Sequence, residues 1–185
     1  MDVTEYCSGM REKLVELWIG RFFTAYPIDS TGFVRTRRDR FANPVGETTR
    51  LSAATLFDAV IGKDADADAV KTALRDLILI RAVQDMAPSQ ATGAIIALKD
   101  ILRSEVLPAC LLPENAGAGT LKNYLEAESR IDTLFLMALD MYAEAREKVY
   151  RARIEDIKQS QAQLTRLATL RRTRHEPLPE TDNEG

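Results

Sequence analysis

Apolar positions along the chain recur three and four residues apart almost throughout, and no alternating apolar/polar run of useful length marks a strand. Between Thr4 and Ala25 the spacing of Met10, Leu14, Leu17, Trp18 and Phe22 predicts a first helix, punctuated afterwards by Pro27 and Gly32. A short basic helix is expected over Phe33–Arg40. Asn43-Pro44 and Gly46 then read as a turn, because Pro44 fixes its own φ and disfavours helix at Asn43. The next helix is expected over Glu47–Ile61, stopped by Gly62. The aspartates that follow, Asp64, Asp66 and Asp68, lack the glycine and closing glutamate of a calcium loop, so they read as a solvated loop that caps a helix. Two further helices are expected over Asp68–Met86 and Pro88–Leu107, with Pro88 in the first turn of the second. A loop containing Pro108, Pro113, Gly117 and Gly119 precedes a last helical stretch from Leu121 to Arg172. At about 1.5 Å per residue that stretch would run to about 75 Å, longer than such a domain is wide, so its far end must leave the globule or bend. The expected fold is all-α: a bundle of five to six helices with a long protruding C-terminal helix. Residues 1–158 are expected to form the domain, 159–174 a helical extension, and 175–185 a polar, disordered tail.

One polar cluster interrupts this pattern. In LILIRAVQDMAPSQATGAIIAL (Leu77–Leu98), Arg81, Gln84, Asp85 and Gln90 stand where two apolar segments meet. On a helical wheel with Leu77 at zero, the apolar face centres at about 30°, and Arg81, Asp85 and Gln84 fall at about 40°, 80° and 340°. All three then point inward. Arg81 and Asp85 are four apart and suited to pairing along the helix. An isolated buried charge is costly, so Arg81 needs a carboxylate, capping carbonyls or an anionic ligand. Two readings stand. Either these residues clamp the corner structurally, or Arg81, Gln84, Asp85 and Gln90 form the polar end of a pocket for a small anionic or polar ligand. In the following helix Gly93 lies opposite a stripe of apolar residues, which implies close approach by another helix of the chain or by a second copy.

Composition removes several function classes. The chain of 185 residues carries a net charge of −3, which gives no global case for nucleic acid or an anionic membrane. No apolar run approaches a membrane span, and the N-terminus has no secretory signal pattern, so a soluble, cytoplasmic protein is expected. Cys7 and Cys110 fit no metal spacing and read as two free thiols. The single histidine, His175, lies in the tail, which argues against a haem ligand, acid–base catalysis or a triad. NAGAGT lacks the lysine and preceding strand of a phosphate loop. An enzyme, a cofactor and a metal site are therefore not expected. Basic residues at Arg35, Arg37, Arg38 and Arg40, and at Arg166, Arg171, Arg172 and Arg174, raise nucleic-acid binding as an alternative, without a helix-turn-helix or stacking aromatics to support it. Near the C-terminus Tyr150, Ile154, Ile157, Gln161, Leu164 and Ala168 step by four and three. That is an a/d heptad seam, whose simplest partner is the same helix of a second copy in a parallel homodimer; the alternative is a fold-back onto its own domain.

Three segments, RFANPVG (Arg40–Gly46), IRAVQDMAPSQATGAIIALKDILR (Ile80–Arg103) and RIDTLFLMALDMYAEAREKVYRAR (Arg130–Arg153), resemble the RsbRD N-terminal domain family over about Glu12–Lys158. The resemblance implies a sensory input module of stress or redox-metabolism signalling, with a fold akin to the haem-free globin-like domains of stressosome proteins. In multidomain relatives a STAS domain follows and engages the switch kinase. Here only the tail follows Arg172, so kinase antagonism is not carried over, and the family supplies no ligand or catalytic residue to transfer. The expected function is non-enzymatic regulation through a small ligand or a protein partner. The alternatives are a structural adaptor with no small ligand, or a nucleic-acid binder using the basic helices.

Overall fold

A computed structural model describes residues 1–24 and 44–175, with no side-chain account of Pro44 or of 171–175. Seven helices are found among the described residues, and no strand: α1 Val3–Gly9, α2 Arg11–Thr24, α3 Pro44–Val60, α4 Ala67–Val83, α5 Pro88–Glu105, α6 Leu107–Cys110 and α7 Ala118–His175. The all-α bundle with a long C-terminal helix is as the periodicity predicts. By contact the chain divides into Met1–Arg146, which holds the core, and Glu147–Gly185. No helix among the described residues is long and apolar enough to cross a membrane.

Element boundaries follow capping chemistry. The expected first helix is two, broken at Met10, whose backbone (φ −105°, ψ 11°) leaves the helical range as it closes α1. Pro44 opens α3 instead of forming a turn, and Gly46 lies inside that helix. Proline lacks only an N–H that a first turn does not use, so it starts a helix as readily as it breaks one. Asp66 N-caps α4, its carboxylate accepting from Ala69 N at 3.0 Å, which is the capping role expected of the aspartate loop. The proline–glycine loop contains α6, a single turn with Pro108 at its start. The basic helix expected over Phe33–Arg40 lies outside the described residues.

Packing against this frame is apolar. Leu14, Trp18 and Phe22 of α2, Leu56 and Phe57 of α3, Leu74, Leu77 and Ile78 of α4, Ile95 and Leu98 of α5, and Ile131 and Ala138 of α7 are fully buried. Burial of a large aliphatic or aromatic side chain contributes about 1.5–3 kcal/mol, so this set dominates stability. Trp18 adds direction: its indole N–H donates to Ala94 O at 2.7 Å, fixing α2 on α5. Nothing lies within 4 Å of a Cβ built on Gly93, so among the described residues the tight intrachain crossing expected there is not found.

Three arginines terminate three helices. The last carbonyls of a helix have no intrahelical donor and carry the negative end of its dipole. Arg81 donates to Phe22 O in the last turn of α2 at 3.0 Å. Arg130 donates to Val60 O, the last residue of α3, at 3.2 Å. Arg146 donates to Ala82 O near the end of α4 at 3.0 Å. Helices α3 and α4 also end in the same backbone motif. Lys63 N bonds Asp58 O and Gly62 N bonds Ala59 O; likewise Met86 N bonds Arg81 O and Asp85 N bonds Ala82 O. This Schellman arrangement needs one left-handed residue, supplied by Gly62 (φ 82°) and Asp85 (φ 64°).

Candidate functional site

Arg81 is the second-largest fully buried side chain after Trp18, with 1% of its surface exposed. Besides the bond to Phe22 O, its guanidinium lies over the Phe22 ring, 4.6 Å from the centroid. That ring sits 5.2 Å from Trp18. Arg81 is thus held by a carbonyl and a π face, both well suited to a planar cation. Its inward direction is the one the wheel predicts.

Gln84 and Asp85 differ from expectation. Helix α4 ends at Val83, so the wheel does not extend to them, and both are exposed. Gln84 is the C-cap residue. Asp85 occupies the left-handed position, and its carboxylate pairs with the Arg146 guanidinium of α7. Pro88 carries the signal for this early end, because its ring in a continued helix would collide with the carbonyl of Gln84. Gln90 is also exposed, and its side-chain oxygen accepts from Ala87 N at 3.2 Å, half of a capping arrangement at the start of α5.

The corner between α4 and α5 is therefore gripped from α7. Tyr142 donates its hydroxyl hydrogen to Met86 O, and one turn later Arg146 holds both Ala82 O and the Asp85 carboxylate. Sequence reasoning missed Tyr142 and Arg146. They are 56 and 64 residues from their partners, and nothing local to them announces a tether. Beside the corner, Gln90, Ser89, Gly93 and Ala94 of α5 and Arg21 and Thr24 of α2 line a groove of 260 Å³. The structure brings Gln90 to the groove and Arg81 to the core beneath the end of α2. Gln84 and Asp85 are on the outer side of the corner.

Ionisable groups in the core are structural in character. Burial, and then the neighbouring Cys110, pushes the Cys7 thiol up to about 11. Burial also raises Cys110. Both cysteines are free and buried. Neutral thiols are poor nucleophiles and metal ligands. Among the described residues no group of three or more His, Cys, Asp or Glu is placed to hold a metal.

The heptad seam falls in the second unit. Tyr150, Ile154, Ile157, Gln161 and Leu164 lie on α7 and all are exposed, the apolar ones between 52% and 67%. Leu167 and Leu170 are exposed as well. Arg166 is exposed; the side chains of Arg171, Arg172 and Arg174 and the cluster at Arg35–Arg40 lie outside the described residues.

No curated protein and no solved structure matches the chain. The model of one family, described as the RsbT co-antagonist protein rsbRD N-terminal domain, matches residues 12–157, which include most of the core, the gripped corner and the first half of the seam. The chain of 185 residues belongs to that family of signalling domains.

Proposed function

We propose that the chain is a non-enzymatic sensory module of stress signalling that takes its input at the α4–α5 corner and delivers its output through the exposed seam of α7. Family membership supports the signalling role. One observation carries the rest: the corner is tied by Tyr142 and Arg146 to the helix whose continuation bears the seam. A ligand that shifts Gln90 or the end of α2 changes the strain on those ties, and a helix transmits such a change without an intervening loop. The input is a small polar or anionic ligand in the groove beside Gln90, or a protein surface docking there. The seam needs a cover, either the same helix of a second copy or a helix of another protein.

Hydrogen exchange on Tyr142→Phe and Arg146→Ala tests the link. Faster exchange is expected at the corner amides and also along α7 beyond Arg146. Exchange that rises at the corner and stays unchanged along the C-terminal helix would refute it. Native mass spectrometry of freshly purified protein tests the ligand: a co-purifying small molecule supports the groove as its site, and its persistence in Gln90→Ala would place it elsewhere.

A further inference from the structure

The exposed seam carries a second pattern, in the charges along its margins. With Ile154, Gln161 and Ala168 as a positions and Tyr150, Ile157 and Leu164 as d, the flanking e positions hold Arg151 and Lys158 and a g position holds Arg153. No e or g position between Tyr150 and Ala168 is acidic; Glu155 and Asp156 occupy b and c, on the back of the helix. From Glu147 to His175 the chain carries eight Lys or Arg against three Asp or Glu, although the whole chain is net −3. The seam is therefore an apolar stripe with cationic edges, of which Arg151 pairs back to Glu147 on its own helix and Arg153 and Lys158 set the charge of the central margins.

Self-pairing fits these edges badly in either orientation. A parallel pair sets Arg153 of one copy against Lys158 of the other, twice. An antiparallel pair sets Lys158 against Lys158 of the second copy across the twofold axis. Like charges at such positions select against a pairing. A membrane surface fits badly too. Between Tyr150 and Leu164 the seam spans about 80° of the wheel, the width of a coiled-coil stripe rather than of the broad apolar face an interfacial helix buries, and Leu167 and Leu170 widen it only at its far end. A nucleic acid has no use for exposed Ile154, Ile157 and Leu164.

We propose that this seam docks a single helix of a different protein, one with an apolar a/d seam, a polar residue opposite Gln161, and Asp or Glu at its flanking positions. The inference deepens the reading of α7 as the output surface and names the chemistry of the downstream partner. Its failure is distinct from a failure of that reading, because exchange along α7 reports the link with no partner present.

Two synthetic helices serve as probes, identical in their Ile/Leu seam, one with Glu at every e and g position and one with Lys. Full-length protein is expected to bind the Glu probe at least about tenfold tighter than the Lys probe, since each e/g pair changes from repulsive to attractive. Raising salt should shrink the difference. The doubly reversed variant, Arg153→Glu with Lys158→Glu, alters two exposed side chains and is expected to reverse the preference. Equal affinity for both probes, or binding to neither, would overturn the proposal. So would sedimentation of the wild type as a dimer that Ile157→Asp dissociates, or tighter binding to anionic vesicles than to the Glu probe.

Discussion

Replacing Arg81 with alanine is the sharpest test of how the bundle is held. The change removes a buried, charge-assisted hydrogen bond to Phe22 O, worth about 1.5–3 kcal/mol. It removes a desolvated cation–π contact with the Phe22 ring, worth about 2 kcal/mol. The apolar stem contributes a further 2 kcal/mol or so, at about 0.8 per methylene. Against these stands the release of a buried charge, whose desolvation costs several kcal/mol. Taking about 3 kcal/mol for that release leaves a net loss of about 3 kcal/mol, a large share of a domain's stability. Arg81→Met keeps the stem and should lose about 1 kcal/mol, because the same release offsets most of the lost polar contacts. Arg81→Lys should resemble the alanine variant more than the methionine one: an ammonium is still a buried charge, but it has no planar face to lay on the ring. The assay is urea unfolding followed by the fluorescence of Trp18, the chain's one tryptophan, which sits against Phe22 and reports on this site directly. Fluorescence also reports the core alone, whereas a circular dichroism signal includes the part of α7 beyond Arg146. A midpoint for Arg81→Ala that translates to less than about 0.5 kcal/mol, with an unchanged slope, would show that Arg81 does not hold the end of α2.

Three further outcomes follow from contacts elsewhere in the core. Trp18→Phe keeps an aromatic ring in the core but loses the pyrrole part of the indole and its bond to Ala94 O, so unfolding measured by circular dichroism should shift by at least about 1–2 kcal/mol. The Arg11 guanidinium, bonded to Asp58 at 2.7 Å, holds that carboxyl below its usual range; the pair's stabilisation is complete above the unfolded carboxylate pKa and is lost as pH falls through the lowered folded value. Both groups are partly exposed, so Asp58→Asn should cost at most about 1 kcal/mol at neutral pH and nothing in strong acid, as thermal melts across pH will show. Because burial raises both thiols, Cys7 and Cys110 should resist alkylation in the folded protein at pH 8 and react promptly once it is unfolded in urea; fast labelling of the native state would contradict their burial.

Most of this architecture is legible in the sequence because periodicity and capping are local. The 3.6-residue repeat places Leu74, Leu77, Ile78 and Arg81 on one face, and Asp66, Gly62 and Pro88 mark helix ends by their own backbone chemistry. The seam over Tyr150–Leu164 is visible for the same reason. What escapes is what depends on a distant partner or on an early terminus. Gln84 and Asp85 look inward only if α4 continues, and Pro88 denies it that continuation. Met10 breaks a helix whose apolar spacing runs straight through it. Tyr142 and Arg146 are ordinary residues on an ordinary helical face until the fold brings the corner to them. Arginine as a terminator of other helices is likewise invisible in one dimension, since the side chain and the carbonyls it satisfies belong to different elements.

Asp85 joins two opposed contributions in one residue. Its left-handed backbone carries a strain that glycine would relieve, about 1 kcal/mol, while its carboxylate engages Arg146. Glycine at this position would lose the ion pair and gain back a similar amount from the backbone. The melting curve would barely register the exchange, yet one of the ties between the corner and α7 would be cut. If the proposed path through these ties holds, a single substitution separates durability from responsiveness: a lineage or a mutational screen that monitors only abundance would accept a deaf protein as a healthy one.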